Sequence, residues 1–220
     1  MTPDEKLSEQ LRVAKGAKDF FRALGEYYEH ADAAAANCET LSGGGLACRK
    51  DCAFCCHLPV GVRAYEVLLL VDFIRSHFSS NEQQELISRL RQHELTVSPM
   101  TRAEQEIAGL SCPLLAGSYC SVYSVRPFSC RSYHSLDVSA CQKFFNDPKN
   151  APNNRPMLED LDSGWKMAIE CAGVAYLENG YDLTFYELGS ALLAALTDSA
   201  TAKRSREKKK TFPQARNIGI

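Results

Sequence analysis

Four cysteines within nine residues constrain the fold of this 220-residue chain more than any other feature. They stand in the run Cys48-Arg-Lys-Asp-Cys52-Ala-Phe-Cys55-Cys56. Thiolates are preferred ligands of Zn²⁺, Cu(I) and iron–sulfur clusters, and thiols this close in sequence can reach one centre without closing a long loop. The run therefore predicts a metal site carried on a loop. Because adjacent side chains diverge in irregular backbone, Cys55 and Cys56 favour two ions, or two edges of one cluster, over one mononuclear site.

A second set of cysteines downstream brings the number of candidate ligands to eight. Its members are Cys112, Cys120, Cys130 and Cys141. Eight thiols are enough for two tetrahedral all-sulfur sites, for one cluster and one zinc, or for a shared site with bridging sulfurs. Bringing Cys112 back to Cys56 closes a loop over residues 57–111, which the intervening helices must organise and a metal would then lock.

A disulfide scaffold is the alternative explanation of the ten cysteines in this chain. Disulfide-dense folds are usually short and secreted, whereas 220 residues that are 45% hydrophobic can bury a core without cross-links. The amino terminus shows no signal peptide, so we expect reduced thiols in the cytoplasm. Cys38 and Cys171 lie outside both sets and are predicted to be small buried hydrophobes.

Helical periodicity dominates the remaining sequence. Capping-box spacings, with Glu or Gln three residues later, occur at Thr2, Asn81, Thr101 and Thr184. Apolar residues then recur at the helical period, as in Val67, Leu70, Val71, Ile74 and Phe78. The sequence therefore predicts a mainly α fold, a helical domain organised around a loop-borne cysteine metal cluster, with little or no β-structure.

Composition divides the chain into four segments. Residues 1–44 are predicted to form an N-terminal helix, residues 45–145 the cysteine module with a helical insertion, and residues 146–202 C-terminal helices that pack on the module. Residues 203–220 contain six lysines and arginines within positions 203–210 and are predicted to be a basic, disordered tail. That tail is the one nucleic-acid signal in a chain of net charge −2, and no apolar run is long enough to span a membrane.

These motifs resemble the YkgJ-like family of cysteine-cluster proteins over roughly residues 45 to 145. The matching features are Cys48 and Cys52-Ala-Phe-Cys55-Cys56, the Cys-Pro-x-Leu element at Cys112, and Cys120-Ser-Val-Tyr-Ser-Val-Arg126-Pro127-Phe-Ser-Cys130-Arg131. The three-residue spacing between Cys48 and Cys52 is wider than in many relatives. The resemblance implies a bacterial protein that chelates zinc or holds an iron–sulfur cluster, and the distant relatives include a bacterial flagellin lysine methyltransferase with such a cluster.

Basic residues within the motifs are candidates to balance the negative charge of the thiolates. They are Arg49, Lys50, Arg126 and Arg131. The resemblance implies that Arg126 and Arg131 lie beside the ligands, with Pro127 fixing the turn that presents Cys130. His57 and His134 flank the clusters, and we expect His57 to hydrogen-bond beside the ligand cysteines rather than to bind metal.

Three functions remain open from the sequence. The first is a metal-binding protein whose zinc or iron–sulfur cluster stabilises the fold and leaves room for a protein partner. The second is an iron–sulfur enzyme related to flagellin lysine N-methyltransferases. The third is a metal chaperone or redox sensor in which Cys55 and Cys56 exchange metal or become oxidised. We take the first as the prediction and assign no catalytic or small-cofactor residues.

Overall fold

The computed structural model describes residues 1–49 and 51–218 of the chain. These residues form ten α-helices and two small antiparallel sheets, which confirms the mainly α prediction. The helices are α1 (Pro3–Val13), α2 (Ala17–Leu41), α3 (Ala64–His77), α4 (Ser80–Val97), α5 (Arg102–Ala108), α6 (Phe128–Arg131), α7 (Val138–Asn146), α8 (Glu159–Glu178), α9 (Leu188–Thr197) and α10 (Thr201–Arg206). Lys50, one of the expected neutralising cations, lies outside the described residues. Across the described ranges, no helix is both long and apolar enough to cross a membrane.

The N-terminal helix predicted over residues 1–44 is in fact two helices. The backbone leaves the helical conformation at Ala14 and is extended at Gly16 before α2 begins. The helix α2 runs to Leu41, and the following Gly43 and Gly44 have φ angles of 84° and 74°. Because this left-handed region is open to glycine at little cost, the glycine run can turn the chain out of α2 toward the first cysteines.

Two predicted capping boxes are confirmed and a third is displaced. The hydroxyls of Thr2 and Thr101 accept hydrogen bonds from backbone N–H groups three residues later, at 3.3 and 3.2 Å. The helix α4 starts before the predicted Asn81, because Ser79 and Glu82 satisfy each other's backbone N–H groups. All three ends use the same reciprocal arrangement of hydroxyl and carboxylate.

The cap of α9 differs from the predicted box at Thr184. The N-cap is Glu187, whose carboxylate accepts the Ser190 N–H at 2.7 Å and lies 3.1 Å from Nε2 of His93. The backbone N–H of Thr184 instead donates to the Asp182 carboxylate at 2.9 Å. A side chain buried between α4 and α9 thus performs the capping.

The helix α3 lies between two hydrophobic cores. Its residues Val67, Leu70 and Ile74 pack with α4 and α9. Tyr65 and Leu69 belong to the second core, which α1, α2 and α8 build on the opposite side. Because α3 is covered on both sides, its sequence is an almost continuous apolar run rather than a single stripe.

Two short antiparallel sheets fix the loops around α3. Strand β1 (Gly61–Arg63) pairs with β4 (Phe185–Glu187), and β2 (Leu115–Ala116) pairs with β3 (Tyr119–Cys120). Gly61 is required where it stands, since a Cβ there would come within 2.2 Å of the Phe185 ring. The strand β1 leads directly into α3 and so ties the first cysteine loop to a helix that both cores cover.

The structure differs from the predicted disordered tail over residues 203–218, which fold against the domain. Phe212 is fully buried and contacts the Tyr186 ring, with 5.2 Å between centroids. The Thr211 N–H donates to Asp182 at 2.7 Å, and Lys208 lies over the Tyr181 ring at 3.0 Å. The apolar and hydroxyl residues after the lysines anchor this segment, and part of its positive charge contacts the protein itself.

Candidate metal centre

The two cysteine loops meet where the backbone N–H of Cys112 donates to the Cys56 carbonyl at 2.7 Å. This hydrogen bond makes the closure over residues 57–111 that the sequence suggested. Cys55 and Cys56 lie in a 3₁₀ turn, Phe54–His57, immediately before β1. All ten cysteines carry free thiols. The candidate ligands are therefore reduced and their two loops are joined at one point.

Three thiols form what we term the inner wall of the site, namely Cys112, Cys120 and Cys130. Cys112 and Cys120 pack against the core around α3, and Cys130 lies on α6. Burial raises the pKa of Cys112 to about 12 and that of Cys130 well above its ordinary value. Negative charge on Cys112, Cys55 or Cys120 would raise the pKa of Cys130 further, so these thiols lie near it. Metal binding at the inner wall must therefore displace thiol protons that burial holds in place.

Three further thiols form the outer wall, namely Cys48, Cys52 and Cys141. Cys48 is exposed to solvent overall. Its thiol is nevertheless partly desolvated, which raises the pKa of Cys48. The charges of Cys52, Cys55 and Cys141 act in the same direction, so these groups lie near Cys48. Cys141 is carried by α7, which packs on the 3₁₀ turn.

Cys55 is the thiol common to both walls. The pKa of Cys55 is raised strongly. The larger cause is a hydrogen bond with the Cys56 side chain, and burial is the second cause. Its charge also affects Cys48 on the outer wall and Cys112, Cys120 and Cys130 on the inner wall. Cys55 therefore has neighbours in both sets of thiols. Within the described residues, no three Cys, His, Asp or Glu side chains stand ready to hold a metal ion.

Arg126 lies close enough to the cysteine loops for its charge to affect Cys55 and Cys120. Its guanidinium lies 3.9 Å from the centre of the Tyr123 ring and donates to the Tyr123 carbonyl at 3.3 Å. Its positive charge lowers the pKa of both Cys55 and Cys120, opposing the effect of burial. Arg126 can therefore offset part of the negative charge of bound thiolates.

Arg131 is buried and has a different set of partners. It donates to the carbonyls of Arg126 and Ser124 at 2.8 and 2.6 Å, and pairs with the Asp32 carboxylate of α2. The guanidinium also covers the Tyr28 ring at 4.1 Å. These contacts hold the backbone between Cys120 and Cys130 against α2, which positions the loop rather than neutralising a thiolate directly.

Glu66 is a positioning residue that sequence reasoning missed. This buried carboxylate accepts the Phe128 N–H at 2.7 Å, the Tyr28 hydroxyl at 3.0 Å and the Arg63 N–H at 2.8 Å. Burial raises its pKa, while these three donors oppose that rise. Glu66 thus ties the start of α3 to α2 and to α6. The available signal was an acidic residue in the first turn of a helix, directly before the apolar run Val67–Val71.

The two histidines near the cysteines bind other partners. Nδ1 of His57 lies 3.1 Å from the Ala53 carbonyl, and its ring contacts Phe145. Nε2 of His134 accepts the Leu158 N–H at 3.1 Å, so Nδ1 carries the proton that it shares with a carbonyl at 2.8 Å. Neither nitrogen of His134 then has a lone pair left for a metal.

The fold and site define a mainly helical protein whose loops bring together a cluster of reduced cysteines. Residues 47–153, just under half of the chain, match the family named "CxxCxxCC: Putative zinc- or iron-chelating domain". This segment of the chain is therefore similar to that cysteine-cluster family. No curated protein and no solved structure gave a significant match.

Proposed function

We propose that this protein chelates zinc or an iron–sulfur cluster through its inner and outer walls and the vicinal pair Cys55 and Cys56. One observation carries the proposal: the Cys112 N–H donates to the Cys56 carbonyl and so joins the two cysteine loops. Cys55 then has neighbouring thiols on both walls. The donor set fits both candidates, because thiolates bind zinc and iron–sulfur clusters alike. A bound metal would supply cross-links between the loops and thereby stabilise the fold.

The protein's own residues would prepare this site. Glu66 and Arg131 hold the inner loop in place, and Arg126 provides a positive charge near Cys55 and Cys120. We further propose a bacterial cytoplasmic location, since ten free thiols persist in a reducing compartment. The domain division remains part of the proposal, with residues 45–145 as the metal module and residues 146–202 as helices packed on it.

Anaerobic purification followed by elemental analysis and visible spectroscopy tests this function. We expect either one or two zinc ions per chain without colour, or iron with acid-labile sulfide and a broad visible band. A coloured protein that contains iron would also favour the hypothesis of an enzyme related to the methyltransferases. A colourless protein that contains zinc would favour a domain that the metal only stabilises. A protein that holds neither metal after anaerobic preparation would overturn the proposal.

Serine substitutions test the ligand assignment itself. Cys52→Ser and Cys130→Ser should lose most of the metal and lower the melting temperature by about 10 °C, because the loops lose their cross-link. Cys38→Ser and Cys171→Ser are matched controls outside the site and should keep both metal and melting temperature. Full metal content and an unchanged melting curve in the first two variants would contradict the assignment.

A further inference from the structure

A narrow cleft lies between the 3₁₀ turn and α7, on the outer side of the cysteine site. Cys55 lines one side and Cys141 the other. Phe54, Tyr133 and Phe144 contribute aromatic surface to its lining. The cleft therefore lies beside the thiol common to both walls and beside one thiol of the outer wall.

The helix that closes this cleft is weakly attached. None of the residues of α7 is buried. Its aromatic contacts to the 3₁₀ turn come from Phe145, which lies 5.5 Å from Phe54 and 4.7 Å from His57 between ring centroids and is itself 38% exposed. Segments with few buried apolar contacts open at low free-energy cost. The Cys141 side of the site should therefore open more readily than the inner wall.

The cleft also carries a positive charge. Arg155 lines it, with its guanidinium 3.4 Å from the centre of the Tyr133 ring and its Nε donating to the His134 carbonyl at 2.7 Å. These two contacts fix the cation beside the opening. A guanidinium in this position favours carboxylate groups, because it can form charge-assisted hydrogen bonds with them.

We propose that this cleft is the path by which metal is exchanged with small carboxylate chelators, and that Cys141 is the ligand released first. The inference rests on the proposed function. If the site held a metal, Cys141 would be the thiolate that leaves it and is protonated by water, and a carboxylate oxygen of the chelator would take the vacated position. No oxidation is involved. The buried thiols of Cys112 and Cys130 would be the last to release it.

Metal transfer from the loaded protein to EDTA, an anionic chelator, measures this path. Phe145→Ala should speed the transfer by about threefold or more while metal content at the start is unchanged, because α7 loses its aromatic contacts. Tyr119→Ala is the matched control, since it removes an exposed aromatic beside Cys120. Equal transfer rates in the two variants would overturn the proposal.

The charge of the cleft is tested by comparing chelators. Arg155→Gln should slow transfer to EDTA by about threefold and leave transfer to a neutral pyridine chelator unchanged, because only the carboxylates meet the guanidinium. A general loosening of the structure would instead accelerate both. Equal effects on the two chelators would show that Arg155 does not select carboxylates at this cleft.

Pulsed alkylation of the loaded protein, read by mass spectrometry, gives the order of release. We expect Cys141 to be modified before Cys112 and Cys130. Metal-loaded protein in which Cys112 or Cys130 is modified first would defeat this inference and leave the proposed function standing. Protein that binds no metal at all would overturn both, so the two failures are distinguishable.

Discussion

The inner and outer walls of the cysteine site are attached to the protein in different ways. On the inner wall, α6 buries Phe128 and Arg131 and is tied by hydrogen bonds to α2 and α3. On the outer wall, α7 buries no residue and touches the 3₁₀ turn through Phe145. Neighbouring candidate ligands can thus be supported to different degrees by the rest of the fold. Fold stability should depend on the inner wall, and ligand lability on the outer wall.

The largest effect that sharpens this comparison is expected at Glu66. Glu66→Ala leaves the Phe128 N–H, the Tyr28 hydroxyl and the Arg63 N–H without their buried acceptor, which should cost about 3 kcal/mol of unfolding free energy. Urea denaturation of the metal-free protein measures this cost without a contribution from bound metal. In the loaded protein, alkylation of Cys130 should also become faster.

Two further variants separate positioning from a general loss of stability. Glu66→Gln keeps one acceptor oxygen, so it should recover about half of the lost free energy. Glu85→Ala changes an exposed acidic residue of α4 and should stay within about 0.5 kcal/mol of the parent. If Glu66→Ala sped alkylation of Cys141 as much as that of Cys130, the two walls would not be independently supported.

Local patterns in the sequence were enough to predict the mainly α fold and two helix starts. The capping boxes at Thr2 and Thr101 depend on residues only three positions apart, and the structure forms both. These helix starts could be read correctly because each cap brings its partners together within a few residues.

Features that depend on distant contacts could not be read in this way. Glu66 is one of 27 acidic residues, and its partner Phe128 is 62 positions away. The lysine-rich segment carries a local pattern typical of a solvated tail, but Phe212 packs on Tyr186 and Thr211 binds Asp182. In each case the tertiary contact outweighs the local preference of the chain.

A smaller effect is expected from paired arginine substitutions on the two walls. Arg131→Lys removes the planar group that bonds two loop carbonyls and Asp32 together, and should cost about 2 kcal/mol. Arg155→Lys, beside the outer cleft, keeps a positive charge and should cost less than about 1 kcal/mol. Chemical denaturation of both metal-free variants measures the difference. Equal destabilisation by the two substitutions would contradict the view that fold stability depends more on the inner wall than on the outer wall.

The smallest predicted effect concerns how the free energy of unfolding depends on pH at Asp182. It provides a reference for the acid sensitivity of the two walls. Asp182 lies away from the cysteines and accepts hydrogen bonds from Thr211, Thr184 and Tyr186. Burial alone would raise its pKa, but these donors outweigh burial and lower the pKa below its ordinary value. Its stabilising contribution is therefore present above the unfolded-state pKa of about 3.9 and is lost as pH falls through the lower folded-state pKa.

Asp182→Asn should accordingly cost about 1 kcal/mol at neutral pH and progressively less below about pH 4, where the parent carboxylate itself becomes protonated. Urea titrations of the metal-free protein between neutral and acidic pH measure the two curves. A pH-independent difference would mean that the carboxylate charge is not what holds the Thr211 segment. If the two stability curves converge at acidic pH, the difference between them gives the part of the acid sensitivity that Asp182 causes. Any acid sensitivity that the Asp182→Asn variant keeps must then come from other groups, including those that support the inner and outer walls.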